Sequence, residues 1–108
     1  MTKSLSAPEL KEWQDDKSRN APLVIDVREA WEYELCRIPG AQLLPMNDIP
    51  AKWHERPRES DIVVVCHHGM RSLQVANYLV RAGFGRVYNL NGGVAAWADQ
   101  VDPAMPRY

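Results

Sequence analysis

The chain has 108 residues, of which 45% are hydrophobic, and its 13 basic and 14 acidic side chains leave a formal net charge of -1. This length and composition predict a single domain over residues 1–108, with its core over about residues 6–101. The balanced charge, the lack of a membrane-length apolar run and the lack of an apolar leader predict a cytoplasmic protein whose partners include neither nucleic acid nor membrane.

The first predicted elements are a helix and a buried strand. Ser6 is a suitable N-cap and Glu9 follows three residues later, as in a capping box, so we expect a helix to begin after Ser6. The β-branched run at residues 23–27 predicts a strand. Asp26 lies inside that run, and because an unpaired buried carboxylate is costly, we expect it to bond to Arg28 or to a backbone N–H.

Helices and short apolar strands then alternate. In chain order, the patterns predict a short helix over residues 29–35, a short strand over 41–44, a short helix over 47–55, a strand over 62–65, a helix over 72–82, a strand over 86–90 and a last helix that begins over 94–97. This alternation predicts an α/β fold with a mainly parallel sheet and helices on both faces.

Other apolar residues are assigned by the same spacing. The four tryptophans are expected in the core, and one side of the helix over 72–82 is expected to carry Leu73, Val75, Ala76, Leu79 and Val80. The tail over 101–108 is predicted to be non-helical. Whether it folds back on the domain or mediates contacts, and whether Tyr108 is an anchor or exposed, stays open.

One stretch carries the chemistry. It follows the strand over 62–65, leads into the next helix, and reads Cys66-His67-His68-Gly69-Met70-Arg71-Ser72. Ligands collect at the carboxyl ends of strands in α/β sheets, and the free N–H groups at a helix N-terminus attract anions. Gly69 permits a tight backbone, Arg71 adds a permanent positive charge, and the histidines add to the field if they are partly protonated. We therefore expect an anion-holding loop that stabilises the Cys66 thiolate as a nucleophile.

Two other interpretations of this stretch are weaker. A cysteine that ends an apolar strand can be a small buried hydrophobe, but the histidines, glycine and arginine that follow favour a reactive thiol. A metal site is disfavoured because three consecutive side chains rarely converge on one ion, and the other soft ligands are Cys36 and His54. Two cysteines are too few for a disulfide framework. The sequence predicts no metal and no cofactor.

Three stretches resemble the rhodanese-like domains, a family of thiosulfate sulfurtransferase homologues. They are Leu23-Val24-Ile25-Asp26-Val27-Arg28-Glu29 with Glu32-Tyr33 and Ile38-Pro39-Gly40-Ala41, then residues 66–72, and then Val87-Tyr88-Asn89-Leu90-Asn91-Gly92-Gly93 with Ala96-Trp97. The resemblance implies a five-stranded parallel sheet and a persulfide on Cys66. It also implies that the persulfide and the donor anion are bound by the loop residues His67, His68, Gly69, Met70, Arg71 and Ser72. Asp26 and Arg28 look like the family's structural pair.

Two details of the resemblance bear on the chemistry. Four residues separate Cys66 from Arg71, whereas the related phosphatases and arsenate reductases have a loop that is one residue longer. The shorter loop suits a terminal sulfur better than a tetrahedral phosphate. The second detail is that Cys36-Arg37 stands where many members have Gly-His. Cys36 is either a second redox thiol or a packed cysteine, and its surroundings favour the packed one.

The expected function is transfer of a sulfane sulfur from thiosulfate, polysulfide or a similar donor. The expected acceptor is cyanide, a cellular thiol or a partner protein. The alternative is a persulfide carrier or sensor that passes sulfur to a partner protein with little small-molecule turnover. An inactive interaction domain is disfavoured because Cys66 is present.

Overall fold

The computed structural model describes residues 2–48 and 58–108. Its centre is a five-stranded sheet in which every pair of neighbouring strands is parallel, in the order β1-β5-β4-β2-β3. The strands are β1 (Lys3–Leu5), β2 (Leu23–Asp26), β3 (Gln42–Leu43), β4 (Ile62–Val65) and β5 (Val87–Leu90). The predicted parallel α/β sheet is therefore confirmed.

Four α-helices in the described ranges cover this sheet. They are α1 (Ala7–Asp15), α2 (Ala30–Leu35), α3 (Met70–Arg81) and α4 (Gly93–Gln100), and a single 3-10 turn spans Met46–Asp48. Buried residues of α1 and α4 share one hydrophobic cluster, and buried residues of α3 belong to another on the opposite face. The helices thus lie on both faces, as predicted.

The central strand β4 shows why the two layers form. All four of its residues are fully buried. Val63 and Val65 pack into the cluster with α1 and α4, whereas Ile62 and Val64 pack into the cluster with α3. Alternate side chains of a strand point to opposite faces, so a continuous apolar run is what a strand covered on both sides requires.

The start of α1 confirms the predicted capping box. The Glu9 N–H donates to Ser6 Oγ at 3.2 Å, and the Ser6 N–H donates to Glu9 Oε1 at 2.9 Å. The strand before it, β1, was not expected from the residue pattern. It pairs with β5 through the register Leu5 with Leu90. Two of its three residues are exposed, so an edge strand this short carries no alternating pattern.

Several boundaries and side-chain positions differ from the predictions. Helix α3 begins at Met70, two residues earlier than expected. Leu73 is 40% exposed because it lies roughly a third of a turn from the centre of the buried face that Val75 and Leu79 define. The expectation that all four tryptophans are buried is wrong for Trp31, which is 60% exposed.

The remaining predictions for this part of the chain have mixed outcomes. Trp13 and Trp97 are buried as expected. The predicted helix over 47–55 overlaps the 3-10 turn, but most of it, including Trp53 and His54, lies outside the described residues. Within the described ranges, no helix combines the length and apolarity that crossing a membrane requires.

The tail over residues 101–108 folds back onto the domain. It is non-helical, as predicted, and Met105 is buried in the same cluster as α1 and α4. Arg107 donates to the Ala98 carbonyl at 3.2 Å and pairs with Asp99, both on α4. These contacts bring the end of the tail to the edge of the sheet where β4 ends and the Cys66 loop begins.

Candidate active site

The loop after β4 surrounds Cys66. This residue follows the buried strand directly and is 1% exposed. Gly69 has a φ of 102° and forms the N-cap of α3, a conformation that other L-residues rarely adopt. The chain can therefore turn sharply enough for the first turn of α3 to face the sulfur.

Helix α4 holds the other side of the loop. The Val94 N–H donates to the Cys66 carbonyl at 2.9 Å, and the Ala95 N–H donates to the His67 carbonyl at 3.0 Å. Because a trans peptide directs its N–H opposite to its C=O, the N–H groups of His67 and His68 point away from α4. The first turn of α4 thus orients two peptide groups of the loop. Its N–H groups, which have no acceptor within the helix, donate to the loop carbonyls.

Two hydrogen bonds reach the sulfur. The Gly69 N–H donates to Cys66 Sγ at 3.0 Å, and Ser72 Oγ lies 3.3 Å from it. Ser72 also donates to Asn89 Oδ1 at 2.5 Å, and Asn89 Nδ2 donates to the Gly69 carbonyl at 3.2 Å. The second bond sets the orientation of the Asn89 amide, so its oxygen faces Ser72. With its proton directed to Asn89, the Ser72 oxygen can accept from the Cys66 thiol. It can turn its proton to a thiolate.

The arginine at the end of the loop is held by a carboxylate of α2. Arg71 Nη1 and Nη2 donate to Glu32 Oε1 and Oε2 at 2.7 and 2.9 Å, a two-pronged pairing. These hydrogen bonds lower the pKa of Glu32 to about 2, against the opposing effect of its burial. The same bonds raise the pKa of Arg71. The Glu29 N–H adds a further bond to Glu32 at 2.9 Å. The ion pair fixes the position of the arginine at the rim of the loop.

Asp26 and Arg28 form the buried pair that was predicted. Asp26 accepts from the Arg28 side chain at 2.6 to 3.0 Å and from its backbone N–H at 3.1 Å. Both side chains are fully buried. Burial opposes the charge of Arg28, but its bonds to Asp26 and Tyr108 outweigh burial and raise the guanidinium pKa. The bonds of the pair join the end of β2 to Cys36 and Tyr108.

Aromatic rings cover the histidine side of the loop. The rings of His67 and His68 stack at 3.9 Å, and the ring of Tyr108 stacks on His67 at 3.9 Å with an interplanar angle of 11°. Burial lowers the pKa of His67, and the neighbouring His68 adds to the effect. Both effects disfavour the charged form, so His67 adds less positive charge to the loop than an exposed histidine would.

Cys36, at the end of α2, is buried and free, as is Cys66. Its Sγ lies 3.9 Å from Arg28 Nη1, and its carbonyl accepts from Arg28 Nη2 at 2.7 Å. A buried thiol with these structural contacts fits the interpretation of Cys36 as a packed cysteine. Among the described residues, no three His, Cys, Asp or Glu side chains are grouped so as to hold a metal ion.

The predicted loop residues do lie together, but they play unequal parts. Gly69 and Ser72 contact the sulfur, His67 and His68 stack beside it, and Arg71 lies at the rim. Met70 is the first residue of α3, and it is 74% exposed.

Sequence reasoning missed three side chains of the site: Glu32, Asn89 and Tyr108. Glu32 and Asn89 are buried polar residues on elements with apolar neighbours, so each required a partner that the sequence does not name. For Tyr108 the sequence leaves open an anchored or an exposed side chain, and it gives no signal that links this residue to the loop.

The chain is similar to known proteins over most of its length. The family model of the rhodanese-like domain matches residues 6–100. A sulfurtransferase from Allochromatium vinosum is 45% identical over 76 residues, which are 70% of this chain and 71% of that protein. The thiosulfate sulfurtransferase GlpE from Pseudoalteromonas translucida is 37% identical over 85 residues, or 79% of this chain and 81% of that one.

A solved structure is similar throughout the fold. A rhodanese-like domain protein from Staphylococcus aureus matches with a TM-score of 0.82 and 32% identity, and the alignment covers 93% of this chain and 95% of that one.

Proposed function

The chain belongs to the rhodanese-like domain family, and from that premise we propose that it transfers a sulfane sulfur through a persulfide on Cys66. The donor is thiosulfate or a similar compound, and the acceptor is cyanide or a thiol. One observation carries the proposal: Cys66 Sγ is buried and accepts from the Gly69 N–H at 3.0 Å, with the Ser72 hydroxyl 3.3 Å away. Two donors around a sheltered sulfur stabilise an anion there.

The reaction has two displacement steps. The Cys66 thiolate attacks the outer sulfur of thiosulfate, an S–S bond forms to Cys66, and the S–S bond of thiosulfate breaks as sulfite leaves with the electron pair. The acceptor then attacks the outer sulfur of the persulfide. With cyanide as acceptor, thiocyanate forms and the Cys66 thiolate is regenerated. Splitting the transfer in this way is nucleophilic catalysis.

The loop residues have distinct roles in this proposal. The Gly69 N–H and the Ser72 hydroxyl hold the negative charge as it develops on sulfur. Arg71, whose side chain is 37% exposed, attracts the anionic end of the donor from the rim. Asp26 and Arg28 are structural, because both are fully buried and paired with each other.

The test is a thiosulfate:cyanide assay combined with intact-mass spectrometry. We expect the wild-type protein to gain one sulfur atom on thiosulfate treatment and to form thiocyanate when cyanide follows. Cys66→Ser should do neither. The matched control is Cys36→Ser, which should behave like the wild type. A wild-type protein that neither gains sulfur nor forms thiocyanate would refute the proposal.

A second candidate function is sulfur carriage to a partner protein. The most exposed large hydrophobic residues of the described ranges are Trp31, Leu35, Met70, Leu73 and Tyr108. Trp31 and Leu35 share a face of α2, Met70 and Leu73 share a face of α3, and the Arg71–Glu32 pair joins these two helices. Tyr108 contacts Trp31 edge to face. Apolar surface beside a reactive loop favours a macromolecular acceptor.

The two functions differ in a measurable way. A carrier would accumulate the persulfide on Cys66, seen as one added sulfur atom, while it forms negligible thiocyanate with cyanide. An enzyme of the first kind turns over with the small acceptor.

A further inference from the structure

Tyr108 contacts one end of the Cys66 loop directly and the other end through Glu32. Its ring stacks on His67, the residue after Cys66, at 3.9 Å. Its hydroxyl donates to Glu32 Oε2 at 2.7 Å, and that carboxylate binds Arg71 at the far end of the loop. The family match ends at residue 100, so this contact comes from a segment outside the matched domain.

The hydroxyl of Tyr108 completes the surroundings of Glu32. It donates to Glu32 Oε2 and accepts from Arg28 Nη1 at 2.8 Å. Burial raises the pKa of Tyr108 to about 12, so the hydroxyl keeps its proton. A donor on Glu32 takes up part of the carboxylate charge. Without it, Glu32 would neutralise Arg71 more fully, and less of the Arg71 charge would be available to an anionic donor.

The ring of Tyr108 has a separate effect. The Tyr108 ring and the His68 ring both stack on the His67 imidazole. Trp31 contacts the Tyr108 ring edge to face, with 5.6 Å between the ring centroids. A stacked ring excludes water from His67 and limits its rotation. The residue that follows the nucleophile is thereby held in one orientation.

These contacts are not needed to hold the tail. Met105 is buried in the core cluster, and Arg107 bonds to Asp99 and to the Ala98 carbonyl on α4. The tail is thus attached before it reaches Tyr108, whose own side chain contacts His67 of the loop, the Glu32 and Arg28 side chains, and the Trp31 ring.

From these contacts, and resting on the proposed function, we propose that Tyr108 is a positioning residue for sulfur transfer. Its hydroxyl sets the Glu32–Arg71 pair that receives the anionic donor, and its ring orients and shields His67. The two effects reside on different parts of one side chain, so they can be separated by substitution.

Three variants separate the effects. Tyr108→Phe keeps the ring and removes the hydroxyl, whereas Tyr108→Leu removes both. The matched control is Tyr33→Phe, which loses a hydrogen bond of 2.6 Å to the Ala41 carbonyl without any link to the loop. We expect both Tyr108 variants to raise the KM for thiosulfate by about fivefold, which corresponds to one ordinary net hydrogen bond, because the hydroxyl acts on the donor only through the Glu32–Arg71 pair. The kcat should change less than twofold. Tyr33→Phe should leave KM unchanged.

NMR provides a readout that requires no sulfur transfer. The Arg71 side-chain signals should shift in both Tyr108 variants and stay in place in Tyr33→Phe. The imidazole of His67 should titrate at a higher pH in Tyr108→Leu, because its shield is gone, and return to the wild-type value in Tyr108→Phe. The other groups that face this imidazole, His68, Glu32, Arg28 and Arg71, are present in all variants. Tyr108→Phe shows how far the lost hydroxyl alone acts on His67 through Glu32 and Arg28.

The NMR measurements test the positioning role of Tyr108 independently of the substrate. Unchanged Arg71 signals in Tyr108→Phe, together with an unchanged His67 titration in Tyr108→Leu, would overturn the inference even if the wild-type protein transfers sulfur. The expected NMR shifts in a protein that forms no persulfide would support the positioning contacts and refute only the proposed function.

Discussion

Gly93 lies directly against the carbonyl group of Cys66. A Cβ atom at position 93 would stand 2.2 Å from the Cys66 oxygen and 2.6 Å from the His67 oxygen. Gly93 also has a φ of 58°, in the region that favours glycine. This close approach lets the next two residues of α4 donate to those same carbonyls, so a single missing side chain allows the helix to orient the loop.

We expect Gly93→Ala to damage the loop severely. The methyl group would push the Cys66 peptide away from α4 and break the bonds from Val94 and Ala95. Stability should fall by about 2 kcal/mol or more, as overpacking and backbone strain combine. Persulfide formation should slow by at least tenfold. Urea unfolding and rapid-quench mass spectrometry measure the two effects.

The control for this substitution is Gly85→Ala, because a Cβ at position 85 meets no atom of residues 2–48 or 58–108 within 4 Å and its φ is not positive. It should match the wild type in both measurements. Equal effects of the two substitutions would contradict the role given to the contact between Gly93 and Cys66.

Ser72→Ala tests the hydroxyl beside the sulfur. The variant removes a hydroxyl that donates its one proton to the buried Asn89 Oδ1 at 2.5 Å and can turn it to Cys66 Sγ, 3.3 Å away, when the thiolate forms. We expect persulfide formation to slow by about tenfold, since one hydrogen bond to a developing charge is lost. We also expect about 1–3 kcal/mol of lost stability from the unsatisfied amide.

A double-mutant cycle with Asn89→Ala separates the two parts of that prediction. The stability losses of Ser72→Ala and Asn89→Ala should be strongly non-additive, because they share one hydrogen bond. The rate loss in the double variant should be at least as large as in Ser72→Ala. Additive stability losses would argue that Ser72 and Asn89 act independently.

Asp26→Ala tests the structural role of the buried pair. Removing Asp26 leaves Arg28 buried without the carboxylate that receives three of its side-chain hydrogen bonds. The free energy of unfolding should fall by about 3–5 kcal/mol. The matched control is Asp15→Ala, which breaks an exposed i,i+4 pair with Lys11 and should cost less than about 0.5 kcal/mol. Chemical denaturation measures both, and similar values for the two would refute the distinction.

Local patterns made much of the fold predictable. The four buried residues of β4 form an unbroken apolar run, and the capping box at Ser6 involves residues three apart. Both signals lie within a few residues, so the sequence alone displays them. Strand β1 was missed because its pairing with β5 joins residues that are far apart in sequence. The three residues Lys3–Leu5 contain no local pattern that indicates a strand. Trp31 was misplaced because its partner, Tyr108, also lies far away in sequence.

The candidate site divides in the same way. The Cys66 loop is contiguous, so its nucleophile, its glycine and its arginine could be identified together. The side chains that hydrogen-bond to the loop or to its supporting residues come from other elements. They are Glu32 of α2, Asn89 of β5 and Tyr108 of the tail. Each is a polar residue whose partner is chosen by tertiary packing. A sequence shows that such a residue needs a partner, but not which one it finds.

The Glu32–Arg71 pair predicts a specific acid sensitivity. The pKa of Glu32 falls from 4.5 to about 2 on folding, so the unfolded chain binds the proton more tightly. The pair therefore contributes its full stability above pH 4.5, and that contribution disappears as the pH falls through 2. In the wild type, this carboxylate should account for up to about 3 kcal/mol of the fall in unfolding free energy between pH 4.5 and 2. Glu32→Gln should lack that part of the fall, as measured by urea unfolding at each pH. Arg71→Met should flatten the same window because it removes the largest cause of the shift. A profile that keeps its full slope in both variants would show that other carboxylates govern the acid limb.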